Sequence, residues 1–245
     1  MAWVRLRKSY LIHWSKFWGA LHCQNFYKVL EPPQDPKKAE LIPGQLVWAH
    51  TVYPLPEPWI IQVLKYDARD ESRSQYRVKR YSPEDQSHMP IKELRLRADE
   101  NYYVYLGKER LLVVVREIGS RWLNRHYDEL VVACIPIFSF KDRHNETFRI
   151  KSLGFCYPDL FYLPSDPNGC VEESAARFEL IQPIARRGLR NFMAGSPSMP
   201  VALSDEAFAL FVNHLGRFLS AKDLDAEICT EIDTYRQLVL EELAK

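Results

Sequence analysis

Glycine is scarce in this chain of 245 residues: nine glycines stand against sixteen prolines. Proline therefore sets most of the breaks, and the chain reads as stiff and folded rather than linker-rich. There is no CxxC pair. The five cysteines (Cys23, Cys134, Cys156, Cys170 and Cys229) are odd in number and widely spaced. That pattern argues against a disulfide framework or a zinc site and points to a reducing, cytoplasmic compartment. No apolar run approaches the length of about 18 residues that suggests a membrane helix. Lys8, His13 and Lys16 interrupt the N-terminal stretch, so neither a membrane span nor a secretory signal is expected. No Ser-His-Asp order, glycine-rich phosphate loop or HExxH pair is present, and neither cofactor nor metal is expected. The formal charge is only +1, so any nucleic-acid binding must come from a local patch.

Apolar residues make up 47% of the chain, enough for a sizeable core. Two nearly continuous apolar runs, GKERLLVVV (107–115) and ELVVACIPIFSF (129–140), read as strands buried on both faces. After a turn, ESAARFELIQPI alternates, with Ala176, Phe178, Leu180 and Gln182 facing one way, and reads as a half-buried strand. This order predicts a small, strongly bent antiparallel sheet or barrel. Ahead of it, LIPGQLVWAHTVY combines a Pro43-Gly44 turn with a strand. WIIQVLKYD and SRSQYRVKRYS give two more strands, the latter with a basic face. KDRHNETFR reads as a charged loop.

The flanks read as helical. Tyr10, Leu11, Trp14, Phe17, Trp18 and Leu21 recur at three- and four-residue steps, one face of an N-terminal helix that either packs on the protein or meets a partner. EPPQDPKKAE (31–40) then breaks the chain, so residues 1–40 form an N-terminal segment. Near the other end, Ser204 caps a helix with acids in its first turn. Phe208, Phe211, Val212, Leu215, Phe218 and Leu219 share a face of it, and a second helix follows from about Asp223. This α-hairpin over 196–245 either covers the sheet or docks a protein through Phe211 and Leu215, as Trp14 and Trp18 do at the N-terminus.

The order GQLVW, ERLLVVV, VACIPIFSF and PNGCVEESAARFELIQPI resembles the MazF/PemK toxin superfamily over residues 41–195, with a long insertion between Trp48 and Gly107. The resemblance implies an SH3-like β-barrel flanked by the terminal helices. It also implies metal-independent cleavage of single-stranded RNA by 2′-hydroxyl attack, in toxin–antitoxin or phage-defence stress responses, with a homodimer and an antitoxin as further expectations. Arg110 matches the family's arginine, and its fork suits phosphoryl oxygens; the plainer reading is a strand-end residue paired with Glu109. Ser139 is the hydroxyl of the family's Pro-Ile-Thr-Ser segment, while Phe138 stands in its Thr slot and Gln45 in its Asp slot. Lys141, Arg143 and His144, and the basic run with Arg186 and Arg187, are the candidate RNA contacts. Phe138 also opens a second reading: a catalytically degenerate MazF-like regulator, such as an inhibitor of a transcription factor released by proteolysis in CRISPR signalling. A third reading comes from Trp48, Tyr53 and Trp59, which resemble the aromatic cage of a methyl-lysine reader.

Overall fold

The structure is a computed structural model. It describes residues 26–31, 41–53, 59–67, 69–82, 102–119, 130–140, 144–165, 171–194, 199–220 and 225–244. The expected N-terminal helix lies outside them. The chain divides into two compact units, residues 1–49 with 109–245 and residues 50–108.

Thirteen described strands and three described α-helices make the protein mainly β. The strands are β1 (Tyr27–Val29), β2 (Leu46–Tyr53), β3 (Trp59–Lys65), β4 (Gln75–Arg80), β5 (Tyr102–Val104), β6 (Leu106–Ile118) and β7 (Val131–Ser139). They continue with β8 (Leu160–Leu163), β9 (Ser174–Arg177), β10 (Gln182–Ala185), β11 (Arg190–Asn191), β12 (Met193–Ala194) and β13 (Met199–Leu203). The helices are α1 (Glu146–Leu153), α2 (Asp205–Ser220) and α3 (Ala226–Leu243). The main sheet runs β11-β2-β6-β7-β9-β8, with β10 also on β7. A second sheet runs β1-β13-β12, and a third, β4-β3-β5, belongs to the second unit. Among the described residues β11 and β8 end the main ladder without pairing each other, so it forms no closed barrel.

The strand expected over 176–184 is in fact two strands. Ile137 pairs with Ala176 on β9, whereas Cys134 pairs with Gln182 on β10. The chain between them makes a short 3-10 turn, Phe178–Leu180. An unbroken antiparallel partner of β7 would place residue 179 opposite Cys134, so the turn takes up three residues and bends the sheet. Phe178 is left fully buried. The Pro43-Gly44 turn forms as expected. Gln45 N–H donates to Ile42 C=O at 3.1 Å, and Gly44 takes a φ of +84°. Proline then glycine at the two central positions suits a type II turn. Gln45 is buried and donates to Asn191 Oδ1 at 2.9 Å, so its side chain has a structural task here.

The C-terminal helices α2 and α3 fall within the first compact unit. Ser204 caps α2 as expected, its Oγ accepting from Ala207 N–H at 3.2 Å. Phe211 meets Phe161 and Phe178 edge-on, with ring centroids 5.1 and 5.3 Å apart. At 0% and 5% exposure, Phe211 and Leu215 lie inside the chain's own core. Burial of this kind contributes about 1.5–3 kcal/mol per large apolar side chain. Their partner-binding assignment is therefore corrected: intrachain packing uses both side chains. Leu219, expected on the same face, is exposed. Arg217 clamps α3 with a two-pronged ion pair to Asp233 at 3.1 and 3.0 Å, and Arg236 Nε donates to Phe155 C=O at 2.8 Å.

Residues 146–149 of the charged loop expected over 141–149 instead open helix α1. Its C-terminus closes with Cys156 N–H donating to Lys151 C=O at 2.9 Å and Phe155 N–H to Ser152 C=O at 3.2 Å. That pair of bonds is a Schellman closure, which puts Phe155 where glycine is usual, with φ 53°. The left-handed conformation costs about 1–2 kcal/mol. The ring offsets it by packing between Phe161, His214 and Tyr235. Gly154 stands one place earlier because Val239 of α3 lies against it: an added Cβ would meet Val239 Cγ1 at 2.8 Å. Gly154→Ala is expected to lower stability by about 1–3 kcal/mol in urea unfolding. The loss should shrink in a Val239→Ala background; an equal loss in both would rule out this contact as the cause.

His214 sits at the centre of this packing. Its Nε2 lies 3.2 Å from Tyr157 C=O and 3.1 Å from Leu160 C=O, which requires Nε2 to carry the proton and donate. Nδ1 is buried and has no hydrogen-bond partner among the described residues. Burial pulls its pKa from 6.5 down to about 4, the two carbonyls oppose the shift, and Arg236 and Arg217 add to it. The unfolded chain therefore takes up this proton first as pH falls. Stability is full above pH 6.5 and is lost on descending toward pH 4, by about 3 kcal/mol from this group. Wild type should lose that much more than His214→Gln when urea unfolding is compared at pH 7 and pH 4. Parallel pH profiles would show that His214 is accommodated as the cation.

Candidate functional site

The end of β7, Phe138-Ser139-Phe140, builds a cleft from strand alternation. Phe138 pairs with Ala175 of β9, which in turn pairs with Tyr162 of β8, and Arg177 pairs with Leu160. Opposed residues share a face, so Phe138, Ala175, Arg177, Leu160 and Tyr162 point one way. Ile137, Ser139, Ser174, Ala176 and Phe161 point the other. The first face opens into a cleft of about 340 Å³, completed by Phe140, His144, Phe148, Tyr157 and Asp159. Ala175 leaves room where a larger residue would close it.

Helix α1 supplies one wall. Asn145 caps it, with Oδ1 accepting from Phe148 N–H at 2.8 Å. His144, one residue before the cap, stacks on Phe148 at 4.5 Å and meets Phe140 edge-on at 5.5 Å. Phe148 also meets Phe140 at 5.7 Å and Tyr157 at 5.1 Å. Beneath them, Glu173 ties α1 to the sheet. It accepts from Arg149 at 3.1 Å and from the Tyr162 hydroxyl at 2.8 Å.

Two guanidiniums border this aromatic box. Arg110 lies over the Phe138 ring at 4.2 Å and Arg177 over it at 5.1 Å. Arg177 is also ion-paired with Glu179. Glu109, the expected partner of Arg110, is instead paired with Arg190. Flat apolar walls, two guanidiniums and an imidazole suit a planar ligand with a negative group held on the arginine side, such as an unstacked nucleotide, while the Asp159 carboxylate disfavours an anion on its own side of the cleft. Among the described residues no three His, Cys, Asp or Glu side chains converge as a metal site.

Of the expected site residues, His144 lines the cleft, and Arg110 lies over the ring of Phe138, which also lines it. Ser139 does not join them: as the residue between Phe138 and Phe140 it turns to the opposite face, alongside Ser174. Its assignment as the cleft's hydroxyl is corrected on that ground. Arg186 and Arg187 lie at the other end of β7, beyond the Ala185–Val131 pair, and Arg186 is ion-paired with Glu117 at 3.0 Å. They are not phosphate contacts of this cleft. Lys141, Arg143, Trp14 and Trp18 lie outside the described residues. The expected aromatic cage divides between the two units. Trp48 packs against Phe192 in the first, and Tyr53 and Trp59 belong to the second. Arg177, Asp159, Phe148 and Tyr157 were not singled out from sequence; only the alternation around Ala175 and Arg177 carried a local signal.

Burial pushes the Cys134 thiol up to about 12 and raises that of Cys156, which keeps both protonated and unreactive near neutral pH. No family model matches the chain, and neither a curated protein nor a solved structure matches it.

Asn145→Ala removes the cap of the helix that carries the His144–Phe148 wall. A loss of about 1 kcal/mol in urea unfolding is expected, and an unchanged midpoint would mean that packing alone holds α1.

Proposed function

We propose that this chain is a metal-independent endoribonuclease acting on single-stranded RNA, a divergent MazF/PemK-like protein on an SH3-like barrel plan. Stress response, in a toxin–antitoxin or phage-defence setting, is the role that goes with this reading. The observation that carries it is the aromatic cleft with Arg110 and Arg177 over Phe138 and His144 on its wall. An unstacked base enters among the rings, and the guanidiniums meet the adjoining phosphate. His144 then takes the proton of the ribose 2′-hydroxyl. The 2′-oxygen bonds to phosphorus, the bond to the 5′-oxygen breaks, and that oxygen takes a proton from water. A 2′,3′-cyclic phosphate and a 5′-hydroxyl remain. His144 replaces the family's Ser or Thr hydroxyl in this scheme.

A second reading has one observation in its favour. Phe138 fills the Thr slot and holds Arg110 against its ring, which suits a protein that binds without cutting, such as a MazF-like regulator of a protein partner.

Cleavage of mixed-sequence single-stranded RNA in EDTA separates the two. Wild type should yield cyclic-phosphate ends. Arg110→Ala should cut more slowly by on the order of a hundredfold, and His144→Ala by a similar or larger factor. Folded protein that leaves RNA intact would overturn the nuclease and leave the regulator.

A further inference from the structure

Asp159 gives the cleft a polar end that the cleavage scheme leaves unused. Among the described residues it is the only acid lining the cleft, and it is half-buried. Its backbone carbonyl accepts from Phe178 N–H at 2.8 Å, which holds the residue at the foot of β8. Its carboxylate has no hydrogen-bond or ion-pair partner among the described residues. The neighbouring acids are engaged, Glu173 by Arg149 and Tyr162 and Glu179 by Arg177. An unpartnered, half-buried carboxylate at a cleft is a place for donors of a ligand.

The sheet sets this acceptor away from Arg110. Strands β6, β7, β9 and β8 lie side by side in that order. Arg110 is on β6 and reaches over Phe138 of β7, whereas Asp159 immediately precedes β8. Three strand spacings, about 14 Å, separate the two backbones across the sheet. The rings lie between a cationic side and an accepting side. A planar ligand matches this polarity when it is anionic at one end and carries donors at the other. A quaternary ammonium, another guest of aromatic boxes, has nothing for the guanidiniums and is repelled by them.

We infer that the cleft selects guanine, and that Asp159 is the residue that determines this specificity. A carboxylate accepts hydrogen bonds at two oxygens and donates none. Guanine alone among the RNA bases sets two donors side by side on its Watson–Crick edge, N1–H and the N2 amino group. Adenine and cytosine place an acceptor nitrogen beside their single amino group, and uracil flanks its one N–H with carbonyls. Each of those acceptors repels a carboxylate. Asp159 therefore takes N1–H and the N2 amino group, the rings hold the base, and Arg110 meets the phosphate. The inference rests on the ribonuclease reading and names the base which that site holds.

The test uses the full chain and short, fluorescein-labelled 2′-O-methyl oligouridylates, which lack the hydroxyl needed for cleavage. One central position is guanosine, adenosine, cytidine, uridine or inosine. Anisotropy should show the guanosine probe bound about tenfold more tightly than the adenosine, cytidine and uridine probes. Inosine, which keeps N1–H and lacks the amino group, should lose most of that advantage. Asp159→Asn should raise Kd for the guanosine probe about tenfold and level the probes, whereas Arg110→Ala should weaken all of them alike. Equal binding of all probes, inosine bound as tightly as guanosine, or a guanosine preference kept in folded Asp159→Asn would overturn the selection even if RNA cleavage is found. So would a trimethyl-lysine peptide that binds more tightly than any probe, which would make the cleft a cation box. Absence of saturable binding to every probe would overturn it as well. An Asp159-dependent guanosine preference without cleavage would support it and count only against the nuclease.

Discussion

Strand β7 has one edge on β6, and two strands must share the other. Both sides of the main sheet follow from that constraint. The chain can leave β9 and rejoin β7 as β10 only by turning out of the ladder at Phe178–Leu180. The bend drives Phe178 into the interior, where it meets Phe161 and Phe211. On one face this gives α2 an aromatic seat. On the other, the small Ala175 between Phe138 and Tyr162 leaves a hollow that α1 walls in.

The two faces are coupled through the α1–β8 connection. Phe155 ends α1 in a backbone conformation that few phenylalanines adopt, held by its ring in the core and by Arg236 of α3 on its carbonyl. Two residues later, Tyr157 contributes its ring to the cleft and its carbonyl to His214 of α2. The C-terminal helices therefore help to set the cleft wall without lining it. Packing that supports a site from behind is what keeps an aromatic box open in the absence of ligand.

The second unit works by different physics. Its three strands form a sheet too small to bury both faces, and Trp59, Tyr76 and Val78 share a face on which all three are exposed. The first unit hides its aromatic residues in a core and a cleft; the second displays Trp59 and Tyr76 at its surface.

The sequence alone determined the elements whose signal is local. Apolar runs predicted β6 and β7, the Pro43-Gly44 pair predicted its turn, and Ser204 with the apolar spacing after it predicted α2. Arg110 and His144 were also legible as candidates, the first through a family resemblance and the second as a loop histidine near a strand end. Tertiary structure decided the rest, for physical reasons. Helix α1 is polar in sequence and owes its place to an Asn145 cap and to contacts with β8 and α3. The break at Phe178 depends on how many partners β7 can pair with, which alternation cannot report. Ser139 and Phe138 are neighbours in the chain, yet the pleat sends them to opposite faces, and only pairing with β9 tells which face holds the cleft. Phe211 and Leu215 lie on an apolar stripe that fits a partner or a core equally well; the aromatic seat made by Phe161 and Phe178 placed them in the core.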